Sequence, residues 1–491
     1  AISFALRIVR LGSPSRRIFD EVYYVRDACW YFVHRVGTCE VGRELNLEHP
    51  PLGKALIGLG IRVFGVDAFG WRFASAVFGV VFVVVTYLLA RKLLASTAAA
   101  CFAGGLACID FLAFVHSRIA MLDIFLATFI AAAFLFALYD RDEALGRRTG
   151  KRWWRIAAGA AAGCALATKW SGLIALVSVV ILTVAWDMHR RRRPRRSAFL
   201  KVVREEGRGM LVAFLVVPLA VYVASFIGHV HGALWALPWH DGSWVYELYQ
   251  RQIDALHYHL SLGSTNPFQS SPWSWLLLKR AFPYFTEVTS SGQRINVLGG
   301  GSPVTWWLAI PALLWVTVQW FRRNDPARPE GFIVAGFWLN LLPWMAFEAA
   351  PFLLGSGRTG LYIFYVLPMI PFMCAAQALA AQRLWAYLAG RIAVVVVAVA
   401  AAAVFAFYYP MLTAMPLSER AWDARIWIFD HCTRPDTAPL TVYNIKTVHG
   451  ELTTKVSTIG RQFLPPEGWC WKAHALRDRK IPLGRMLHRT D

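Results

Sequence analysis

Acidic residues are scarce in this chain: 30 Asp and Glu stand against 51 Lys and Arg, a formal net charge of +21 in 491 residues. Charged residues of both signs make up only 16% of it, while 57% is hydrophobic and the mean hydropathy is +0.44. Ordinary soluble domains carry about 25% charged residues and no long apolar runs, so that class is excluded. Eight cysteines in a chain of this length do not make a disulfide scaffold. Cys101, Cys108, Cys164 and Cys374 fall within or near apolar runs and read as apolar fillers. Cys29, Cys39, Cys432 and Cys470 fall outside them, where a Cys29–Cys39 bridge stays open. A charged head and cleavage site of the signal-peptide kind are missing too. The opening Ala1-Ile2-Ser3-Phe4-Ala5-Leu6 is too short to span a bilayer, and is expected to be the outer end of a first transmembrane helix in a slightly truncated sequence.

Cation placement decides what the positive charge is for. About 20 apolar residues cross a bilayer as a helix. Ten complete candidates follow the partial first one, near 71–90, 98–115, 121–139, 154–168, 171–188, 209–228, 304–321, 331–349, 362–381 and 392–409. Five alternate loops between them hold 22 of the Lys and Arg, including the run Arg190-Arg191-Arg192-Arg193-Pro194-Arg195-Arg196. That distribution marks the cytoplasmic side, and the basic run reads as an inside anchor near anionic lipid, not as a nucleic-acid site. The expected fold is an all-α polytopic membrane protein of about eleven transmembrane helices. The outer face then receives the loop at 10–70, the loop at 229–303 and three short turns. No nucleic-acid partner is expected.

Polar residues that survive beside a bilayer ask for a functional reason. Asp20-Glu21 and His49-Pro50-Pro51-Leu52-Gly53-Lys54 share the first outer loop. Each short outer turn carries one cation: Arg118, Lys169 and Arg358. Any one of them reads as a snorkelling side chain. Together with Lys54 and Arg72 on the same side, they suggest a shared anionic ligand at the membrane surface, which a lipid-linked phosphate fits. A sugar on such a phosphate has a good leaving group once cations neutralise it, and what remains is a base for the acceptor hydroxyl. Asp20 is the choice for that base, with Glu21 orienting hydroxyls; the reverse assignment stays open. Asp123 reads as a salt-bridge partner of Arg118, a helix N-terminal charge or a catalytic group. Asp110 lies inside a span and reads as structural or substrate-facing.

Other features weigh less. His229, His231, His240, His257 and His259 include two His-x-His pairs, yet interfacial hydrogen bonding to loop backbone suits them better than a metal site. Pro272-Trp273-Ser274-Trp275 reads as an aromatic platform. Gly355-Ser356-Gly357-Arg358-Thr359-Gly360 lies between spans, not between a strand and a helix, so its dinucleotide-like spacing is rejected. Gly299-Gly300-Gly301 reads as a flexible turn.

In order along the chain, Phe19-Asp20-Glu21-Val22-Tyr23-Tyr24, His49 to Lys54, Gly70-Trp71-Arg72-Phe73-Ala74-Ser75 and Ser117-Arg118-Ile119-Ala120-Met121-Leu122-Asp123 form a series. Ala167-Thr168-Lys169-Trp170-Ser171-Gly172, Pro272 to Trp275 and Tyr362-Ile363-Phe364-Tyr365-Val366-Leu367-Pro368 extend it. The series resembles the protein O-mannosyltransferases, glycosyltransferase family 39, of the GT-C fold, and most of all the actinobacterial members. It covers roughly residues 1–430. The resemblance implies a multi-pass enzyme of the cell membrane with its active site on the extracytoplasmic side. It implies transfer of mannose, with inversion, from a polyprenyl-phosphate mannose to Ser or Thr of secreted proteins emerging from the Sec translocon.

By position, Asp20 and Glu21 would be catalytic. His49, Lys54, Arg72, Arg118, Asp123, Lys169 and Arg358 would bind donor phosphate or substrate, Arg72 being the arginine associated with the lipid phosphate. No metal or cofactor is implied, with a divalent cation the alternative left open. Three departures stand out. Residues 229–303 leave no room for the MIR domain of eukaryotic members, Asn266-Pro267 stands where His-Pro is expected, and residues 431–491 form an atypical polar tail. Within enzymes, the alternative is a GT-C transferase moving another sugar to a lipid or cell-wall glycan. A secondary transporter is the reading from another class, but no internal repeat is evident and the charges gather at the outer surface.

Overall fold

A computed structural model describes residues 1–32, 46, 48–146, 152–191, 195–226, 244–261, 268–323, 325–354, 361–425, 437–448 and 451–463. The chain opens with α1 (Ile2–Ile8), followed by the amphipathic pair α2 (Glu21–Phe32) and α3 (Leu52–Phe64). Next come α4 (Ala68–Leu94), α5 (Thr97–Ile109), α6 (Phe111–His116), α7 (Asp123–Gly146), α8 (Trp153–Leu166) and α9 (Gly172–Arg190). Helix α10 (Arg195–Leu211) runs through a π turn at Val212–Val216 into α11 (Val217–Ser225), and α12 (Trp244–Ser261) and the single turn α13 (Pro272–Trp275) follow. A hairpin of β1 (Phe282–Val288) and β2 (Arg294–Gly299) precedes α14 (Pro303–Arg323), α15 (Pro329–Leu354), a 3₁₀ segment at Ile363–Met369, α16 (Ile370–Leu384), α17 (Leu388–Leu412) and the short α18 (Glu419–Asp423). The tail contains a second antiparallel hairpin, β3 (Thr437–Val448) with β4 (Glu451–Phe463).

Eight helices among the described residues are long and apolar enough to cross a membrane. Two expected spans depart from that. The 98–115 segment breaks at Asp110, whose Oδ1 accepts the Ala113 N–H at 2.9 Å and caps α6 while Oδ2 accepts Trp306 Nε1–H at 2.6 Å. Asp110 is therefore structural. The 154–168 segment folds as the 14-residue α8. Its Gly159 and Gly163 let the backbones of Ala213 and Pro218 approach so closely that a Cβ at either glycine would overlap them. Small residues at helix contacts of this kind are how membrane helices pack without a hydrophobic drive between them. The π turn facing them precedes Pro218, which lacks an N–H to continue the ladder.

Burial orders the bundle. Some 78% of the α7 span and 89% of the Ile363–Leu384 span are enclosed, against 22% for α17, so the first two form the centre and α17 the rim. Exposed Ile392, Val395, Val396 and Val399 on α17 suit a lipid-facing surface.

The two ends of the central helices differ. At one end Arg155 is buried among Asp140, Asp187 and Glu206, at 3.1, 2.8 and 3.0 Å. This network ties the C-terminal ends of α7 and α9 to the start of α8 and to the C-terminal half of α10. At the opposite end of α7 lies Asp123, beside the loop that carries Asp20.

Candidate active site

Glu21 opens α2 and is fully buried. Its carboxylate takes a bidentate pair of bonds from Arg72 of α4, Nε to Oε1 at 2.7 Å and Nη2 to Oε2 at 2.8 Å. It also accepts the backbone N–H of Ile18 at 2.9 Å and of Ala120 at 2.8 Å. Arg72 gives its remaining N–H groups to the carbonyls of Leu11, Pro14 and Arg16. Glu21, expected to orient hydroxyls, and Arg72, expected to hold a phosphate, are bonded to each other in this structure. Both are fully committed, and together they staple the 11–21 loop to α4 and to the turn before α7.

Asp20, one residue earlier, is placed differently. Its backbone carbonyl accepts the N–H groups of Tyr23 and Tyr24 and so starts α2. Its carboxylate is half-buried and accepts the Tyr24 hydroxyl at 3.4 Å. The preceding Phe19 has φ of +47°, a left-handed conformation that is an outlier for a bulky residue. Around Asp20 stand Tyr24 and Tyr284, whose phenols are pushed well up, first by burial and then by the nearby charges of Asp20 and Asp123. Both phenols thus lie within electrostatic reach of both carboxylates.

Asp123 begins α7 and pairs with Lys169, not with Arg118: Lys169 Nζ lies 2.9 and 3.0 Å from its two carboxylate oxygens. Phe364 faces the same ammonium, 5.9 Å from its ring centre. From Asp123 a narrow cleft, open to the surface, runs between α7 (Leu126, Ile130), α9 (Ile174) and α15 (Asn340, Trp344), with Ser171 and Tyr365 at its wall.

The other expected ligands divide. Lys54 is fully buried, pairs with Asp27 at 3.0 Å and donates to the Asn46 carbonyl, which ties α3 to α2. Arg118 donates to the carbonyls of Leu6, Arg7, Val9 and Arg10 and so caps the C-terminal end of α1. Both cations are buried, with their N–H groups given to carbonyl and carboxylate oxygens of the protein itself. His49 does lie at the site's edge, its ring 6.1 Å from Tyr24 and 5.7 Å from His259 of α12. His259 in turn bonds the Glu48 carbonyl at 3.3 Å, a hydrogen bond to loop backbone. Arg358, Cys39, His229, His231 and His240 lie outside the described residues. Cys29 is disulfide-bonded. Among the described residues, no group of three or more His, Cys, Asp or Glu is arranged to hold a metal ion.

Sequence reasoning missed Tyr24, Asp27, His116 and Tyr284. Tyr24 and Asp27 were within reach, since they follow Asp20 at helical spacing. Tyr284 was not, because the β1–β2 hairpin gave no clear signal. Its Gly299 is no flexible turn: a Cβ there would come 2.3 Å from the Tyr284 ring, and one at Gly301 would strike Trp306. In the Pro272–Trp275 turn, Trp275 is buried and bonds Ser270, while Trp273 is 52% exposed with Lys279 Nζ 4.3 Å over its ring.

Known proteins resemble the chain along most of its length. Residues 63–233 match the family described as dolichyl-phosphate-mannose-protein mannosyltransferase. Residues 245–430 match the C-terminal four-transmembrane region of protein O-mannosyltransferase. The polyprenol-phosphate-mannose–protein mannosyltransferase of Mycobacterium tuberculosis is 30% identical over 476 residues, spanning 86% of this chain and 88% of that protein. That of Corynebacterium glutamicum is 28% identical, spanning 85% and 88%. In three dimensions the chain resembles the Saccharomyces cerevisiae protein O-mannosyltransferase Pmt1-Pmt2 complex bound to the sugar donor. The TM-score is 0.67 at 14% identity, covering 87% of this chain and 91% of that one, a likeness of the GT-C fold.

Proposed function

The chain belongs to the dolichyl-phosphate-mannose–protein mannosyltransferase family, and from that premise we propose that it moves mannose from a polyprenyl-phosphate mannose to Ser or Thr hydroxyls of secreted proteins. Residues 1–430 form the transferase unit and 431–491 a tail. The enzyme is a multi-pass membrane protein. We place it in the cell membrane with the Asp20 end extracytoplasmic, where acceptors emerge from the Sec translocon.

The observation that carries the site assignment is the contrast between two adjacent acids. Glu21 is fully buried under four hydrogen bonds. Asp20 is half-buried beside Tyr24, a phenol that also feels the charge of Asp123. Asp20 is therefore the general base. The acceptor oxygen attacks the anomeric carbon as its proton passes to the Asp20 carboxylate. The bond from that carbon to the phosphate oxygen breaks on the opposite face, which inverts the centre and releases polyprenyl phosphate. An ammonium has three N–H groups, and two of those on Lys169 face Asp123, which leaves the third for the developing phosphate charge. Asp123 holds that ammonium in place, and the side chains of Leu126, Ile130 and Trp344 beside it offer apolar contact to the lipid.

Initial rates of mannose transfer from polyprenyl-phosphate mannose to a Thr-containing peptide test this reading. Asp20→Asn is expected to lose about 10²–10⁴ in kcat, the usual worth of a positioned base, while keeping its thermal midpoint. Wild-type kcat in that variant would sink the assignment.

A further inference from the structure

Phe19 precedes the proposed base and holds a conformation that a phenylalanine keeps only where its surroundings over-determine it. The backbone on either side is fixed by Glu21, which accepts the Ile18 N–H and is itself anchored by Arg72. The ring is fixed from another element, by edge contacts to Phe282 at 4.7 Å and Tyr284 at 5.5 Å, both on β1. Tyr284 is itself immobilised on several sides. Its hydroxyl shares a 2.6 Å hydrogen bond with His116 Nε2, and its ring lies over the β2 backbone at Gly299. It also packs on Phe282 at 5.0 Å, while the other ring against His116 is Phe364 at 5.8 Å. Both Tyr284 and His116 are buried, and His116 Nδ1 has no hydrogen-bond partner among the described residues. Burial lowers the imidazole to about pKa 4, so at neutral pH it is uncharged and one ring nitrogen is an acceptor for the phenol.

We propose that Tyr284, locked by His116, is a positioning residue of the transferase: it holds Phe19 in its left-handed turn and thereby aims the Asp20 carboxylate at the acceptor hydroxyl. This rests on Asp20 being the base. A relaxed Phe19 would swing the entry to α2 and with it the Asp20 Cβ, although the Glu21–Arg72 staple stayed closed. Displacements of about 1 Å at a reacting group cost up to about a hundredfold in rate. The loss therefore falls on kcat and not on donor binding, because neither Tyr284 nor Phe19 lines the cleft beside Asp123.

A glycine-rescue cycle in the full chain tests the idea. Tyr284→Leu is expected to lower kcat at least about tenfold with donor KM changed less than about twofold. Glycine adopts positive φ unaided. In a Phe19→Gly background the same Tyr284→Leu change is therefore expected to cost less than about threefold. Equal losses in the two backgrounds would overturn the proposal, as would a loss confined to donor KM. Should Tyr284→Leu fail to accumulate, Tyr284→Phe and His116→Leu keep the ring at position 284 and remove the shared hydrogen bond. Each is expected to lower kcat a few-fold and the pair no further, and multiplying losses would count against the lock. Asp20→Asn run alongside separates the failures. Full activity there condemns the base, whereas an inactive Asp20→Asn with an additive cycle condemns only the positioning role.

Discussion

Arg72→Ala is the perturbation for which the structure supplies the most arithmetic. In the wild type the Arg72 guanidinium spends all five N–H groups on Glu21 and three carbonyls, at zero exposure. Truncation leaves the Glu21 carboxylate buried with only the Ile18 and Ala120 amides as partners. Removing one member of a buried ion pair typically costs about 3–5 kcal/mol. At about 1.4 kcal/mol per tenfold, that weakens docking of the 11–21 loop by roughly two to three and a half powers of ten. Since Asp20 rides on that loop, kcat is expected to collapse and the thermal midpoint to fall by on the order of 5 °C or more. Glu21→Ala should do the same, and the double variant should be little worse than either, a coupling of roughly 3 kcal/mol. Arg72→Lys keeps the charge but offers three donors for five, and should fall between. The assay is initial rate against donor concentration, with the midpoint followed by intrinsic tryptophan fluorescence. An Arg72→Ala protein with an unchanged midpoint and a donor KM raised tenfold would refute the staple and restore the phosphate role. Simple additivity with Glu21→Ala would do so too.

Two further outcomes follow from the same geometry. Lys169→Ala removes the proposed phosphate contact and leaves Asp123 buried without its ammonium, so kcat should drop by about 10²–10³, with partial recovery in Lys169→Arg. A rate unchanged in Lys169→Ala would dismiss that contact. Buried His116 takes up a proton only near pH 4, whereas the unfolded imidazole does so near 6.5. Between those values the unfolded state holds more protons, so stability falls as pH drops from about 6.5 towards 4, by roughly 2 kcal/mol at pH 5. His116→Gln should flatten that limb when midpoints at pH 7.5 and pH 5 are compared, and an identical slope in both proteins would exclude His116 as its source.

Hydropathy and cation placement alone were enough to identify a polytopic helical membrane protein, because the bilayer imposes length and charge rules on each segment independently. The same one-dimensional rules picked out Asp20, Asp123 and Lys169, since polar groups beside a bilayer are few and stand out. Those rules say nothing about which cation meets which acid. Arg72, Lys54 and Arg118 looked like members of one phosphate clamp, yet folding commits them to Glu21, Asp27 and the end of α1. Lys169 pairs with Asp123 because the turn after α8 meets the start of α7, residues 46 positions apart. Adjacent acids likewise looked interchangeable in the chain. Only the packing of α4 against the loop buries Glu21 and leaves Asp20 half-open, and only a hairpin some 260 residues further on brings Tyr284 against Phe19. Local chemistry is written locally, but pairing and burial are set by distant contacts. Which carboxylate is sealed in the core and which stays half-open is decided there.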